Sequence, residues 1–306
     1  MTHPFVQSDI WAEFQESLGR TVVRDSGDGW SYLAVLEKGK INSRLYAAYG
    51  PVLERQDALI PALASLKQKA KELGASFVRV EPVGNVSRVD LVDAGLRRTN
   101  RVQPEATSVV DLTQSEGELI AHMAQNNRNL HRTFQSKGLS LHVSHNPDHI
   151  SILLTLLHGV AERTGMRPYA DSYLRRQAKL FLPRKKAHIY FVALDDSPIA
   201  AAFVFEEGDT LYYAHAAADY EHRKLNAGTV LVSQMMVAAQ AKGLKFLDLY
   251  GIWTHPKEGS TQAGITRFKR SFGGKDVVYV GAWELPVKTA SYAAYRALAR
   301  FAHKRI

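Results

Sequence analysis

The sequence predicts an α/β chain of the α+β kind, built from two similarly ordered domains with mixed central sheets. Three observations carry that expectation. Short apolar runs bounded by Gly and Pro alternate with longer segments of helical periodicity. The order of two strands, a break, a helix and a strand occurs twice, from Ser31 to Glu81 and from Tyr190 to Tyr250. The separation from Tyr49 to Phe77 is close to that from His215 to Phe246, as an internal duplication would give. Finally, 306 residues is room for two domains of ordinary size.

Each element has its own signal. Ile10 to Leu18 reads as a short amphipathic helix ending at Gly19, and Ser31 to Leu36 and Arg44 to Tyr49 read as strands joined through Lys38-Gly39-Lys40. Gly50-Pro51 breaks the second strand. A helix is expected from Gln56 to Leu73, with Leu59, Leu63, Leu66 and Ala70 on one face. The strand Phe77 to Glu81, a helix from Val86 to Ala94 and the strand Ala106 to Leu112 follow. Ser115 to Gly138 reads as helical and basic, before the strand Leu139 to Val143. Helices from Asp148 to Thr164 and Asp171 to Leu182 lead to strands at His188 to Leu194, Ile199 to Phe205 and Thr210 to Ala216. The helix Leu225 to Ala241, the strand Phe246 to Tyr250, a strand from Val277 to Leu285 and a last helix from Ala290 to His303 complete the chain.

Composition bounds the class. Hydrophobic residues make up 45% and charged residues 23%, as in a soluble globular protein. No run approaches the length of a membrane span and the N-terminus lacks a signal-peptide pattern, so a cytoplasmic protein is expected. The absence of cysteine excludes disulfides, thiolate nucleophiles and cysteine-ligated zinc. A net charge of +9 favours polyanionic partners: RNA, nucleotide diphosphates or acidic membrane surfaces.

The most informative stretch runs from Lys245 to Lys275. Its buried strand stops at Gly251, and after a polar loop Ile265, Phe268 and Phe272 recur at helical spacing up to a glycine stop at Gly273-Gly274. Lys269 lies about a hundred degrees round from Phe268, beside the apolar face. It reads either as a solvated lysine or as an ammonium facing a cleft at a strand end. The wording Asp248-Leu249-Tyr250-Gly251-Ile252, then Gly264-Ile265, Phe268-Lys269 and Phe272-Gly273-Gly274, resembles the signature of the Fem peptidyltransferases (FemABX). These enzymes use aminoacyl-tRNA to add amino acids to the stem peptide of peptidoglycan precursors. The likeness runs through nearly all of the chain.

That resemblance implies two GNAT-like (acyl-CoA N-acyltransferase-type) domains, without the coiled-coil insertion of some members. The first is expected over 1–106 plus 282–306, because the family's C-terminal helix returns to it, and the second over 107–281. It implies attack of a substrate amine on the aminoacyl ester. The donor is aminoacyl-tRNA; the acceptor is UDP-MurNAc-pentapeptide or a lipid-linked peptidoglycan precursor. No metal or organic cofactor is implied. The expectation is a monomer in the cytoplasm, with peripheral contact at the inner membrane face. Lys269 matches the family lysine that stabilises the oxyanion, and Phe268 its aromatic neighbour.

Further matches concern the acceptor and the donor. Tyr213 falls at a ligand tyrosine, with a core strand tyrosine as the alternative. Counting on from Ala161-Glu162-Arg163-Thr164-Gly165 places Tyr173 at another. The family's phosphate-binding arginine falls on Tyr169, while Arg167-Pro168 reproduces its Arg-Pro pair two residues early. A family lysine near the N-terminus aligns with the uncharged Gln15. Glu81 corresponds to an acidic residue that orients or deprotonates the amine; pairing with Arg79 or another base as scaffolding is the other reading. Arg128 and Arg132 could meet tRNA phosphates or belong to an ordinary charged helix. The turn at Arg223 to Gly228 has Asn226 where an acyl-CoA enzyme has its first glycine, which argues against a pyrophosphate there, although asparagine tolerates left-handed backbone.

His142, His145 and His149 match no metal spacing and are expected in a solvated turn. The last helix, with Tyr292, Tyr295, Arg296, Arg300, Phe301, Lys304 and Arg305, could rest on an acidic membrane, but a packed face with a solvated basic side is the default. Two rival readings remain. One is an N-acyltransferase using acyl-CoA or a carrier thioester on another amine. The other is a non-catalytic module that binds RNA or an envelope precursor.

Overall fold

The computed structural model describes residues 4–39 and 42–303, with side chains up to residue 298. Lys40 of the expected turn, Lys304 and Arg305, and the side chains of Arg300 and Phe301 lie outside the described residues. The chain forms two compact units. One holds the residues up to Glu105 and those from Val278 onward; the other is Ala106–Val277.

In the first unit three antiparallel strands, Val22–Gly27, Trp30–Lys38 and Ser43–Ala47, are followed by the helix Leu59–Glu72 and the strand Phe77–Val80, which runs parallel to Ser43–Ala47. The returning strand Trp283–Pro286 joins the other edge of Phe77–Val80 antiparallel. Leu45, Leu66, Val78 and Trp283 are buried between sheet and helix. Arg79 and Glu284 form a buried ion pair, and Glu284 also accepts from the Tyr292 hydroxyl at 3.0 Å.

The second unit repeats that order. Ala187–Leu194, Ser197–Glu207 and Thr210–Ala218 form an antiparallel meander. The helix Ala227–Ala241 crosses back, and Phe246–Gly251 pairs parallel with Thr210–Ala218. Leu139–Ser144 extends one edge; Ala106–Asp111 and Lys275–Val278 extend the other. The helix Ala227–Ala241 buries Val230, Leu231, Met235 and Met236 in a core shared with Leu211, Leu247, Leu249 and Phe272.

Several expectations need correction. The duplicated unit has three leading strands, because Val22–Gly27 is a strand although Arg24, Asp25, Ser26 and Gly27 make it read as polar. The single strand expected from Val277 to Leu285 is two, in different units. Gly281 lies between them at φ +85°, where a Cβ would come within 2.9 Å of Glu105 Oε1. The basic helical segment is broken at Met123 into Glu116–His122 and Gln125–Thr133. Nor are the three histidines in a merely solvated turn. His145 Nε2 lies 2.6 Å from His188 Nδ1, whose Nε2 is 2.7 Å from Glu206, while His149 Nδ1 is buried without a partner.

Candidate active site

The second unit's sheet divides at one point. The parallel pairing of Thr210–Ala218 with Phe246–Gly251 runs through Thr210, Leu211 and Tyr212 and ends at Tyr212 opposite Asp248. Beyond it both strands are deformed. The first has a bulge between the residues facing Phe203 and Phe205, and the second loses register between Asp248 and Gly251, where Tyr250 takes φ +61°. The Asp248 side chain stabilises that kink by accepting the Tyr250 amide at 2.7 Å. Positive φ in a bulky residue is strained, and the bond to Asp248 offsets part of that cost.

Lys269 is brought to this fork by the helix Thr261–Arg270. Ser260 caps the helix by accepting from the Ala263 amide, and the buried Thr266 hydroxyl accepts the Trp253 amide at 3.1 Å, tying the helix to the chain just beyond the strand. Ile265, expected on the inner face, is exposed; Thr266 takes that place, one turn before Lys269. The Lys269 ammonium is mostly buried and donates to the Gly251 carbonyl at 2.9 Å. Burial lowers its pKa to about 8, against an opposing pull from Asp248. Asp248 is buried, and burial raises its pKa to about 6 although Thr107, the Tyr250 amide and Lys269 all favour the carboxylate. An ammonium and a carboxylate thus interact through space at the fork, each disfavoured by burial and favoured by the other's charge.

Phe268, half-buried, packs edge-on to Phe272 at 5.1 Å. A Cβ on Gly228, in the first turn of Ala227–Ala241, would lie 3.9 Å from the Phe268 ring. Asn226 precedes that helix in the left-handed conformation, φ +51°. Beside it lies a cavity of about 370 Å³ lined by Asn126, Asn127, Asn129, Lys137, Asn226 and Thr229, among others. Asn127 Nδ2 donates to Ser271, which ties one wall of this cavity to the end of the Lys269 helix. The glycines that follow are tight: Gly273 has φ +81°, and a Cβ there would meet His122 Cβ at 2.8 Å.

The other expected residues fall in three places. Tyr213, the first residue past the pairing, is in the core that Phe268 also packs against; burial raises the pKa of its hydroxyl. Tyr169 and Tyr173 stack on each other at 5.2 Å, and Tyr169 meets His215 edge-on at 5.5 Å. Arg167, two residues before Tyr169, is exposed. Arg128 Nη1 donates to the Ala121 and Met123 carbonyls and so caps the end of Glu116–His122; Arg132 is exposed. In the first unit, Gln15 is buried and accepts from Arg20 at 2.7 Å. Glu81 accepts from the Tyr46 hydroxyl and from the Val102 and Gln103 amides at 2.8 and 3.0 Å. Its donors are these groups rather than Arg79, which is paired with Glu284.

Sequence reasoning assigns no role to Asp248, Thr107 or His215. A carboxylate inside the apolar run Phe246-Leu247-Asp248-Leu249-Tyr250 is the signal that could have found Asp248, since a buried acid needs a compensating cation. His215 has no such signal. Its burial beside Phe203 and Phe205 lowers its pKa to about 4 and depends on the strand bulge.

Residues 121–270 match the model of the acetyltransferase (GNAT) domain family. FemA from Staphylococcus aureus, an aminoacyltransferase, is 30% identical over 107 residues, 34% of this chain and 25% of FemA. The chain is a homologue of the Fem aminoacyltransferases. The match spans about a quarter of the length of these curated relatives. A crystal structure of FemX superimposes with a TM-score of 0.82 at 16% identity, covering 96% of this chain and 94% of that one. L-PGS from Bacillus licheniformis gives 0.57 at 14% identity, covering 97% of each. The second unit therefore has the GNAT fold. Among the described residues no helix is long and apolar enough to cross a membrane, and no group of three or more His, Asp or Glu could hold a metal.

Proposed function

We propose that the chain is an aminoacyltransferase that moves an amino acid from aminoacyl-tRNA to an amino group of a peptidoglycan precursor's stem peptide. The carrying observation is the Lys269 ammonium, anchored on Gly251 where two strands part and kept charged by Asp248. The acceptor amine attacks the ester carbonyl, a C–N bond forms, and the carbonyl oxygen takes up negative charge in the tetrahedral adduct. Collapse breaks the ester C–O bond. The ribose oxygen leaves with the proton lost by the amine, giving an amide and free tRNA. An ammonium fixed in advance stabilises the developing oxyanion at no cost of reorganisation, worth about 3 kcal/mol for one such donor.

In this reading Phe268 shapes the site wall, and Tyr213, Tyr169, Tyr173 and Arg167 contact the acceptor. Glu81, held by three donors, and Gln15, held by Arg20, support the first unit. The test is incubation with mixed aminoacyl-tRNAs and either UDP-MurNAc-pentapeptide or a lipid-linked precursor, followed by mass measurement of the acceptor. A gain of one amino acid residue supports the reading; no gain with either precursor sinks it.

A thioester donor is the second reading, favoured by the left-handed Asn226, which keeps the backbone turn that a glycine would give. Thermal stabilisation by CoA, without stabilisation by the precursor nucleotide, would select it.

A further inference from the structure

We infer that Arg163, Tyr220 and Arg223 form a clamp for the phosphodiester backbone of single-stranded RNA. Tyr220 is 45% exposed, with Arg163 Cζ 4.4 Å and Arg223 Cζ 4.1 Å from its ring centroid. The ring therefore holds two positive charges against it, each attracted by its quadrupole. Arg223 Nη1 also donates to the Tyr220 carbonyl at 3.0 Å, which fixes that half of the stack.

The charges are available. Arg24, Arg44, Arg55, Arg98, Arg270 and Arg296 each bond a carboxylate, but no carboxylate among the described residues comes within ion-pair distance of Arg163 or Arg223. Of the nearby acids Asp219 is taken by His222, and Glu162 and Glu221 bond neither guanidinium. Contact through the guanidinium faces leaves the N–H groups other than Arg223 Nη1 open to phosphate oxygens. Two guanidiniums on one exposed aromatic ring match the combination of cationic groove and aromatic platform by which single strands are bound. An outer guanidinium face can also carry a stacked base.

The placement fits the donor. Tyr220 lies two residues past the strand Thr210–Ala218, which leaves the fork, and Arg223 lies four residues before Ala227–Ala241, whose Gly228 adjoins Phe268. A single-stranded 3′ end crossing the clamp is thus led along the loop towards Lys269. This inference rests on the proposed RNA donor.

The test is fluorescence anisotropy with a labelled RNA minihelix ending in a single-stranded 3′ tail, titrated at several salt concentrations. Arg163→Gln and Arg223→Gln should each weaken binding several-fold and reduce the log–log salt slope by about 0.7. Tyr220→Leu, which removes no charge, should weaken binding as well. Arg→Lys variants, charged but unable to stack as a plane, should fall between. Parallel arms use inorganic pyrophosphate and vesicles of anionic phospholipid, and thermal melts confirm folding. Wild-type binding with both Arg→Gln variants unchanged overturns the clamp alone, whereas failure of the wild type to bind RNA overturns the donor reading as well. Loss confined to the pyrophosphate or vesicle arm overturns the clamp in favour of another anion.

Discussion

Replacing Asp248 by Asn tests the electrostatics of the fork most directly. Both hydrogen bonds of the carboxylate, from the Thr107 hydroxyl and the Tyr250 amide, end on Oδ1. The oxygen of an asparagine can accept both, so the kink at Tyr250 should persist while the charge is lost. With its pKa at about 8, Lys269 is about three-quarters protonated at pH 7.5. Without the anion burial acts unopposed and the ammonium becomes more acidic. Each unit of that fall corresponds to about 1.4 kcal/mol, and one unit would leave about one-quarter of the enzyme charged at pH 7.5. If the ammonium stabilises the oxyanion, kcat/KM should rise with ionisation of Asp248 near pH 6 and decline with deprotonation of Lys269 near pH 8. In Asp248→Asn the acid limb should vanish and the alkaline limb should move to lower pH. The assay is the initial rate of acceptor aminoacylation from pH 5.5 to 9. An alkaline limb that stays in place would refute the coupling of Asp248 to Lys269.

Lys269→Met should reduce kcat about 10²- to 10³-fold. The folded pKa is depressed from 10.5 to about 8, so below pH 8 the buried ammonium costs up to about 3 kcal/mol, a cost that disappears as pH rises from 8 to 10.5. Urea unfolding of the wild type should therefore show stability rising across that range; a flat profile would contradict it. His215, neutral and buried, should make stability fall by up to about 3 kcal/mol as pH drops from 6.5 through 4, because the unfolded chain takes up the proton first. His215→Phe should flatten that part of the pH–stability curve, and an unchanged slope counts against the burial argument. Glu81→Gln should cost about 1–3 kcal/mol of stability through its bonds to Tyr46 and the 102–103 amides, with kcat changed only a few-fold. A hundredfold drop in kcat at unchanged melting temperature would instead make Glu81 catalytic.

Much was legible in the order of residues alone. Strand and helix periods, glycine stops and the repeated order of elements depend on neighbours a few positions apart, so they established two α/β halves and the placing of Lys269 on a short helix after a buried strand. The resemblance carried by Phe268-Lys269 and Gly273-Gly274 pointed to the same helix. Tertiary structure alone decided where the charges meet. Asp248 is a lone acid in a strand until the parting of two strands, the kink at Tyr250 and the bond from Lys269 to Gly251 set it under the ammonium. That Gln15 is buried and that Arg128 caps a helix likewise follow from the tertiary structure. Stacking of Arg163 and Arg223 on Tyr220 joins residues 57 and 3 positions apart from that ring. Local pattern encodes which face a residue takes on its own element. Burial, pairing and the pKa of a charge depend on what other elements bring against it, and that is settled only when the sheet and its helices close together.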